Sequence, residues 1–291
     1  MNSLIDFDGL GEVIINLTNK LADGIGWIAN RETTKKMAID TYIRDIQESD
    51  YDELTKAAMI SRARKTIKEY CNQNDIYQIA IKSIDNNAKP QDIEEDWLDQ
   101  FMSKAGLVSD KVLQQIWGRL LAQECNEANS IPKVVLHILE QMDKQDALAF
   151  SALCSLSVYV EEDEKDFSPI VIASKLEEFY SELGITYNVL VDLQALGLIE
   201  MNIGLLEHTY RAKYDRQPIA IHYYDKIYVL PKEMDSFRVG NVIFTKAGQA
   251  LCNVIEVEKQ EDFWEQYCLP IWEKEVGEFN EKQNAVENKE Q

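Results

Sequence analysis

The order of segments between residues 184 and 255 limits most strongly what this chain can fold into. A helix-like segment, Tyr187–Leu196, ends at Gly197, and the apolar run that follows, Leu198–Met201, has the character of a short strand. A long polar insert separates this strand from three further segments. They are two strand-like stretches and a last helix that Thr245 would cap, over Ile219–Leu230, Asn241–Phe244 and Lys246–Val257. Helix, strand, insert and strand in this order predict a winged-helix-like C-terminal domain with a small β-sheet.

The remainder of the chain shows helical periodicity, so the predicted fold class is mainly α. Ser49 or Asp50 is expected to cap the helix from Tyr51 to about Ile84, and Ser109 or Asp110 is expected to start the helix that contains Trp117. Four regions follow from the pattern: an amphipathic N-terminal helix (1–30), a helical domain (31–145), the winged-helix-like domain (146–258), and an acidic C-terminal helix with a disordered tail (259–291).

Finer expectations concern the second half of the chain. Residues 144–160 and 170–183 are predicted to be helical, and the acidic run between them to be a charged surface loop. In the C-terminal region Pro270 is expected to interrupt the helix, because proline lacks the N–H group that a helix interior needs. The chain after Phe279 is poor in apolar residues and is predicted to be disordered.

Apolar residues near the N-terminus form one stripe on a helix, because they recur at intervals of three or four residues. The stripe is expected to dock on the rest of the fold or on a second copy of the chain. A membrane-surface helix is the alternative, although such helices usually carry a polar face rich in Lys and Arg, and Lys20 stands almost alone here. The candidate interaction residues are Leu10, Ile14, Leu17, Leu21 and Trp27.

Charge restricts the partners. The chain has 51 acidic and 30 Lys or Arg side chains, a formal net charge of -21, which repels nucleic acid and anionic lipid over about one Debye length, roughly 8 Å. The segment Tyr187–Leu196, the expected recognition helix, contains no Lys or Arg. We therefore expect a protein partner or self-association. A nucleic-acid-binding regulator is the alternative, with Arg211, Lys213 and Arg216 as contacts to phosphates.

No motif predicts chemistry. The five cysteines are far apart and form no CxxC pair, which is typical of buried thiols in a reducing compartment. His137, His208 and His222 show no spacing of metal ligands, and His137 is expected in a core or an interface. No signal peptide or membrane-spanning segment is recognised, so a cytoplasmic location is expected. We predict no catalytic residue, no metal and no cofactor, and hence a protein that is not an enzyme.

One motif does carry a resemblance. Residues 117–124 read Trp-Gly-Arg-Leu-Leu-Ala-Gln-Glu, and with the amphipathic N-terminal segment they resemble bacterial proteins grouped as domain of unknown function 2806. The similarity is strongest from Trp97 to Phe150 and departs at Asn126–Ser130, where the family tends to have a Pro-Gly-Ser-type turn. The resemblance implies a bacterial or phage origin, an all-helical core and, by association, a role in phage defence or counter-defence. It transfers no catalytic residue.

The motif itself is interpreted as structural. A glycine inside a helix costs about 1 kcal/mol relative to alanine, which is tolerated where another helix crosses closely, and this is the expectation for Gly118 beside Trp117. Arg119 and Glu124 are expected to form an ion pair or to cap a neighbouring helix.

Overall fold

The chain is mainly helical, and its strands belong to the C-terminal part. The computed structural model describes residues 10–27, 35–163, 166–171, 178–202, 208–211 and 218–290. Two compact units divide the chain, unit one at Met1–Glu140 and unit two at Gln141–Gln291. The prediction of a mainly α protein with a small C-terminal β component is confirmed at this level.

Unit one is a set of helices, with a 3-10 turn at Pro90–Asp92 between α3 and α4. Its helices are α1 Leu10–Ile25, α2 Lys35–Glu48, α3 Glu53–Ala80, α4 Glu95–Ala105, α5 Lys111–Asn126 and α6 Lys133–Gln141. Asp52 caps α3 instead of the predicted Ser49 or Asp50, since its carboxylate accepts the N–H groups of Leu54 and Thr55, both at 3.0 Å. Asp110 caps α5 in the same way, as its sequence predicts.

The core of unit one lies between α3, α4 and α5, and α1 packs against α4 and the 3-10 turn. Three aromatic rings form its centre: Trp97 stacks on Phe101 at 5.1 Å between ring centroids, and Phe101 meets Trp117 at 5.2 Å. Such rings bury large apolar areas, which is the main favourable term in folding.

Unit two combines five helices with small antiparallel sheets in its described residues. The helices are α7 Lys144–Ser155, α8 Glu178–Glu182, α9 Tyr187–Ala195, α10 Lys246–Val254 and α11 Leu269–Glu290. The strands are β1 Ser157–Asp163, β2 Asp166–Val171, β3 Ile199–Met201, β4 His208–Arg211, β5 Ala220–Tyr223, β6 Lys226–Val229, β7 Ser236–Gly240 and β8 Val242–Phe244.

These strands form a sheet and a ribbon. The sheet has the order β2-β1-β5-β6, and the ribbon pairs β3 with β8 and β4 with β7. A hydrogen bond from the Asn202 N–H to the Asn241 carbonyl, 2.9 Å, continues the pairing between the two parts of the ribbon. The segment that joins β4 to β7 contains β5 and β6, and the stretch predicted as a polar insert contains β4 itself.

Three segments differ from the sequence predictions. Residues 157–163 and 166–171 are strands, where helices and a charged loop were expected, because β1 pairs with both β2 and β5 and so gains hydrogen bonds from distant residues. The stretch expected as one strand over Ile219–Leu230 is a hairpin. It turns at Tyr224, which adopts a left-handed conformation at φ 53° although it is not a glycine.

The C-terminal helix also differs from expectation, because it continues through Pro270 and reaches Glu290, beyond the predicted limit at Phe279. The turn that precedes it, Phe263–Cys268, is π-helical. In an α-helix a proline ring clashes with the carbonyl group of the residue four positions before it. A π-helical turn before the proline displaces this carbonyl group, so the helix can continue past Pro270.

Candidate functional site

The stripe of α1 belongs to the core of unit one. Leu17 and Leu21 are fully buried, and Trp27 stacks on Tyr70 with ring centroids 5.9 Å apart and lies 5.1 Å from Tyr77. Three of the five candidate interaction residues are therefore committed to this unit, and Leu10 and Ile14 are partly exposed. Docking on the rest of the fold was one of the two expectations for this helix, and it is the arrangement in the structure.

The alternative of a membrane-surface helix requires an apolar face turned outward, and α1 turns its face inward. Among the described side chains of α1, Ile15 is a large apolar residue that stays 59% exposed. Among the residues described, no helix combines the length and apolar character that crossing a bilayer requires.

Gly118 lies where α5 crosses α3. A Cβ atom at this position would be 2.6 Å from the Ile79 Cβ and 3.0 Å from the Ile76 carbonyl oxygen, so any larger residue would push the helices apart. Trp117 is fully buried beside it. The Trp-Gly pair thus forms a close helix–helix contact, which agrees with the structural interpretation of the motif.

Glu124 organises the turn that leads into α6. Its two carboxylate oxygens accept the backbone N–H groups of Asn129, at 2.7 Å, and Ile131, at 2.9 Å. Only 1% of the residue is exposed, and this burial raises the pKa of Glu124, while the two hydrogen bonds act in the opposite direction. The carboxylate fixes a loop rather than facing a cleft, and Asn129 adopts a left-handed conformation at φ 66°.

The exposed face of α9 is the candidate interaction surface of unit two. Thr186 caps this helix, and Leu190 and Leu193 anchor it by burial. Tyr187 and Val191, one turn apart, stay 48% and 40% exposed. We name as the α9 face the exposed residues Tyr187, Asn188, Val191 and Asp192.

Sequence reasoning drew attention to the polar residues of α9 and missed its exposed apolar pair. The available signal was spacing, because Tyr187 and Val191 are four residues apart and so share one side of the helix, beside the stripe of Leu190 and Leu193. A helix that shows an aromatic ring, an aliphatic side chain and a carboxylate to solvent, with no Lys or Arg in its sequence, suits a protein partner better than a phosphate backbone.

The candidate nucleic-acid contacts are not brought together in the described structure. Arg211 is exposed at the end of β4, and Lys213 and Arg216 lie outside the described residues. On the neighbouring strand Arg238 is bound by carboxylates of α11, with its Nη2 2.9 Å from Glu278 Oε2. Two lysines of unit two are paired in the same way, Lys226 with Glu265 and Lys259 with Asp225. Because carboxylates pair with these three cations, the cations are less suited to bind the phosphates of a nucleic acid.

The buried thiols differ in their pKa shifts. Burial raises the pKa of Cys125, Cys154 and Cys268, so the nucleophilic thiolate is disfavoured there. A hydrogen bond with Cys154 lowers the pKa of the Cys252 thiol, which is itself buried. His137 is exposed and lies 4.0 Å from Glu140, so it is not a core residue, and its position in an interface stays a prediction. Within the described ranges no group of three His, Cys, Asp or Glu residues is placed to hold a metal ion.

This burial predicts the thiol chemistry of the native protein. Cys71 is partly exposed and the other four cysteines are buried, so Ellman's reagent is expected to react quickly with one thiol per chain and with all five after denaturation. Cys71→Ser is the control, because it should abolish the fast phase and leave the total at four. A fast phase that persists in this variant would contradict the packing of unit two or of α5.

Together these features define a mainly helical protein of two units, with small antiparallel sheets and an exposed apolar-acidic helix face in the second. The chain belongs to a family of proteins of unknown function, DUF2806, whose pattern it matches over residues 58–268. The match confirms the resemblance drawn from the Trp-Gly-Arg core and extends it from α3 to the π-helical turn. Comparison with curated proteins and with solved structures gave no significant match.

Proposed function

We propose that this protein is a non-enzymatic interaction module that binds another protein through the α9 face. The observation that carries the proposal is the exposure of Tyr187 and Val191 on a helix that has one acid and no base. Aromatic residues are enriched where proteins bind one another, and an isolated exposed pair one turn apart is a suitable anchor for a small hydrophobic contact.

The chain order supports a winged-helix-like architecture for this module. The order is α7, then β1 and β2, then α8, α9 and β3, and α7 contacts α9. A tight turn at Gly197, φ 79°, leads from α9 to β3, whose partner β8 returns along the ribbon. In this architecture α9 takes the place of the recognition helix, and the ribbon takes the place of the wing.

The chemistry of the partner follows from the same surface. The chain carries a net charge of -21, and Asp192 lies beside the apolar pair. A partner with an apolar patch bordered by Lys or Arg would gain both burial and electrostatic attraction, and the attraction would mainly raise the association rate.

Affinity purification tests the proposal with a matched pair of variants. Tyr187→Ala/Val191→Ala removes the apolar anchors, and Tyr51→Ala/Leu54→Ala removes an aromatic and an aliphatic side chain of similar or greater exposure from unit one. We expect a protein partner to copurify with the tagged wild-type chain and with the control at moderate salt, after nuclease treatment. The α9 variant should lose about tenfold or more of it, since hot-spot truncations cost about 2 kcal/mol or more.

Other outcomes are equally informative. Equal recovery with both variants would show that the α9 face does not bind the partner, and nuclease-sensitive nucleic acid without a protein partner would favour the regulator with Arg211. A role in phage defence or counter-defence, as the family resemblance suggests, is part of the same proposal. The identity of the captured partner tests it, because a phage protein or a defence protein is then expected.

A further inference from the structure

Unit one contains a cavity that no feature of the proposed function uses. Its volume is about 520 Å³, within the range of about 300–1,000 Å³ that is usual for small-molecule sites. Residues of α3 and α4 and the end of α1 line it, among them Trp27, Tyr70, Gln73, Asp99 and Met102. Two of these lining rings, Trp27 and Tyr70, stack on each other.

The charged group at this cavity is a carboxylate. Asp99 is exposed on α4. Among the residues that the structure describes, Asp99 forms no ion pair and no Lys or Arg lines the cavity. Gln73 is fixed in place because its Nε2 donates to the Met102 carbonyl at 2.9 Å. Aromatic rings with one carboxylate and no cation form the surroundings that attract an organic cation.

One buried polar atom at the cavity has no hydrogen-bond partner within the described part of the chain. It is the indole Nε1 of Trp27, a residue that is 6% exposed. A buried polar group left unpaired is costly, so such a group commonly meets water or a ligand. The indole N–H is a donor, so water or an acceptor atom satisfies it, and an ammonium group is held by the carboxylate and the rings.

We propose that this cavity binds a small organic ammonium compound. The ammonium group lies against the Asp99 carboxylate and the ring of Tyr70, and the apolar body of the ligand contacts Trp27 and Met102. The net charge of -21 concentrates such cations near the surface. The site is independent of the α9 face, which belongs to unit two, so either proposal can fail without the other.

Calorimetric titration with phenethylamine at 150 mM salt tests the site, with phenethyl alcohol as the neutral counterpart of the same shape. The amine is expected to bind with a Kd of about 1 mM or tighter, and the alcohol at least tenfold more weakly. Asp99→Asn should weaken amine binding by about tenfold, because it removes a charge-assisted contact. Asp45→Asn, which removes an exposed carboxylate of α2, should leave the Kd within twofold.

Trp27→Phe provides a second variant, which keeps an apolar ring and removes the unpaired N–H. It is expected to retain the fold and to weaken binding of the amine, because the smaller ring offers the ligand less contact area. Three results would overturn the proposal: no heat of binding at millimolar amine, equal affinity for the alcohol, or the same loss in Asp45→Asn as in Asp99→Asn. The last result would mean that the cation only follows the overall negative charge.

Discussion

Gly248→Ala is expected to destabilise unit two by about 3 kcal/mol. This is the upper end of the roughly 1–3 kcal/mol that an overpacked core substitution usually costs. A Cβ atom on Gly248 would overlap the Leu198 carbonyl oxygen, lie 3.0 Å from the Leu198 carbonyl carbon and lie 3.2 Å from Phe244. That same oxygen accepts the N–H of Thr245, at 3.1 Å. The added methyl group would therefore separate α10 from the backbone at the start of β3 and break this hydrogen bond.

Gly277→Ala is the matched control. Gly277 lies inside α11, and a Cβ there would meet nothing within 4 Å, so the same substitution should be neutral or stabilising by up to about 1 kcal/mol. Thermal unfolding followed by circular dichroism measures both. We expect a fall of roughly 6–12 °C for Gly248→Ala and no fall for Gly277→Ala. Equal melting temperatures would mean that α10 and β3 are not in contact as described.

The two glycines show where sequence reasoning ends. Both lie in predicted helices, and glycine lowers the helix propensity equally at the two positions. Only Gly248 lies against the backbone of another segment. At Gly118 the sequence predicted a close crossing because the neighbouring residues repeat a helical core pattern. Which helix crosses there, α3, depends on a contact about forty residues away in sequence, between residues 76–79 and 118, and no local pattern encodes it.

Local signals predicted local structure well. Thr245 and Asp110 cap the helices that their sequence positions indicate, since a cap involves only the next two or three residues. The strands of residues 157–171 were missed because their stability comes from β5, some sixty residues further along the chain. Strand preference depends on such partners more than helix preference does, and the acids of β1 conceal the alternation that would have indicated a strand.

For the candidate sites too, locally encoded features could be predicted and features that depend on distant contacts could not. The position of α9 and its lack of basic residues follow from sequence, and so does the amphipathic stripe of α1. The direction in which that stripe faces does not, because burial of Leu17 and Trp27 depends on α3 and α4. The cavity was not predicted, since Trp27 follows α1, Tyr70 and Asp99 come from α3 and α4, and the three share no spacing that a motif would reveal.

Glu124→Ala is expected to destabilise unit one by about 3 kcal/mol. Two backbone N–H groups, of Asn129 and Ile131, would lose their acceptor, and each buried donor left unpaired costs about 1–3 kcal/mol. Glu127→Ala, three residues further along on the same turn, removes an exposed carboxylate and should change the free energy of unfolding by less than about 0.5 kcal/mol. Urea unfolding of the two variants measures the difference, and similar midpoints would contradict the role assigned to Glu124.

Glu124→Gln separates the hydrogen bonds from the charge. The amide keeps one acceptor oxygen but turns an NH₂ group toward the other backbone N–H, so a loss of about 1–3 kcal/mol is expected near neutral pH. Burial raises the pKa of Glu124 in the folded state above the unfolded value of about 4.3. The folded chain therefore holds a proton that the unfolded chain releases, and the advantage of the wild type over Glu124→Gln should shrink as the pH rises from about 4.3 through the folded-state pKa. An advantage that instead grows with pH over this interval would show that the two N–H groups outweigh burial, because the folded state would then favour the ionised carboxylate.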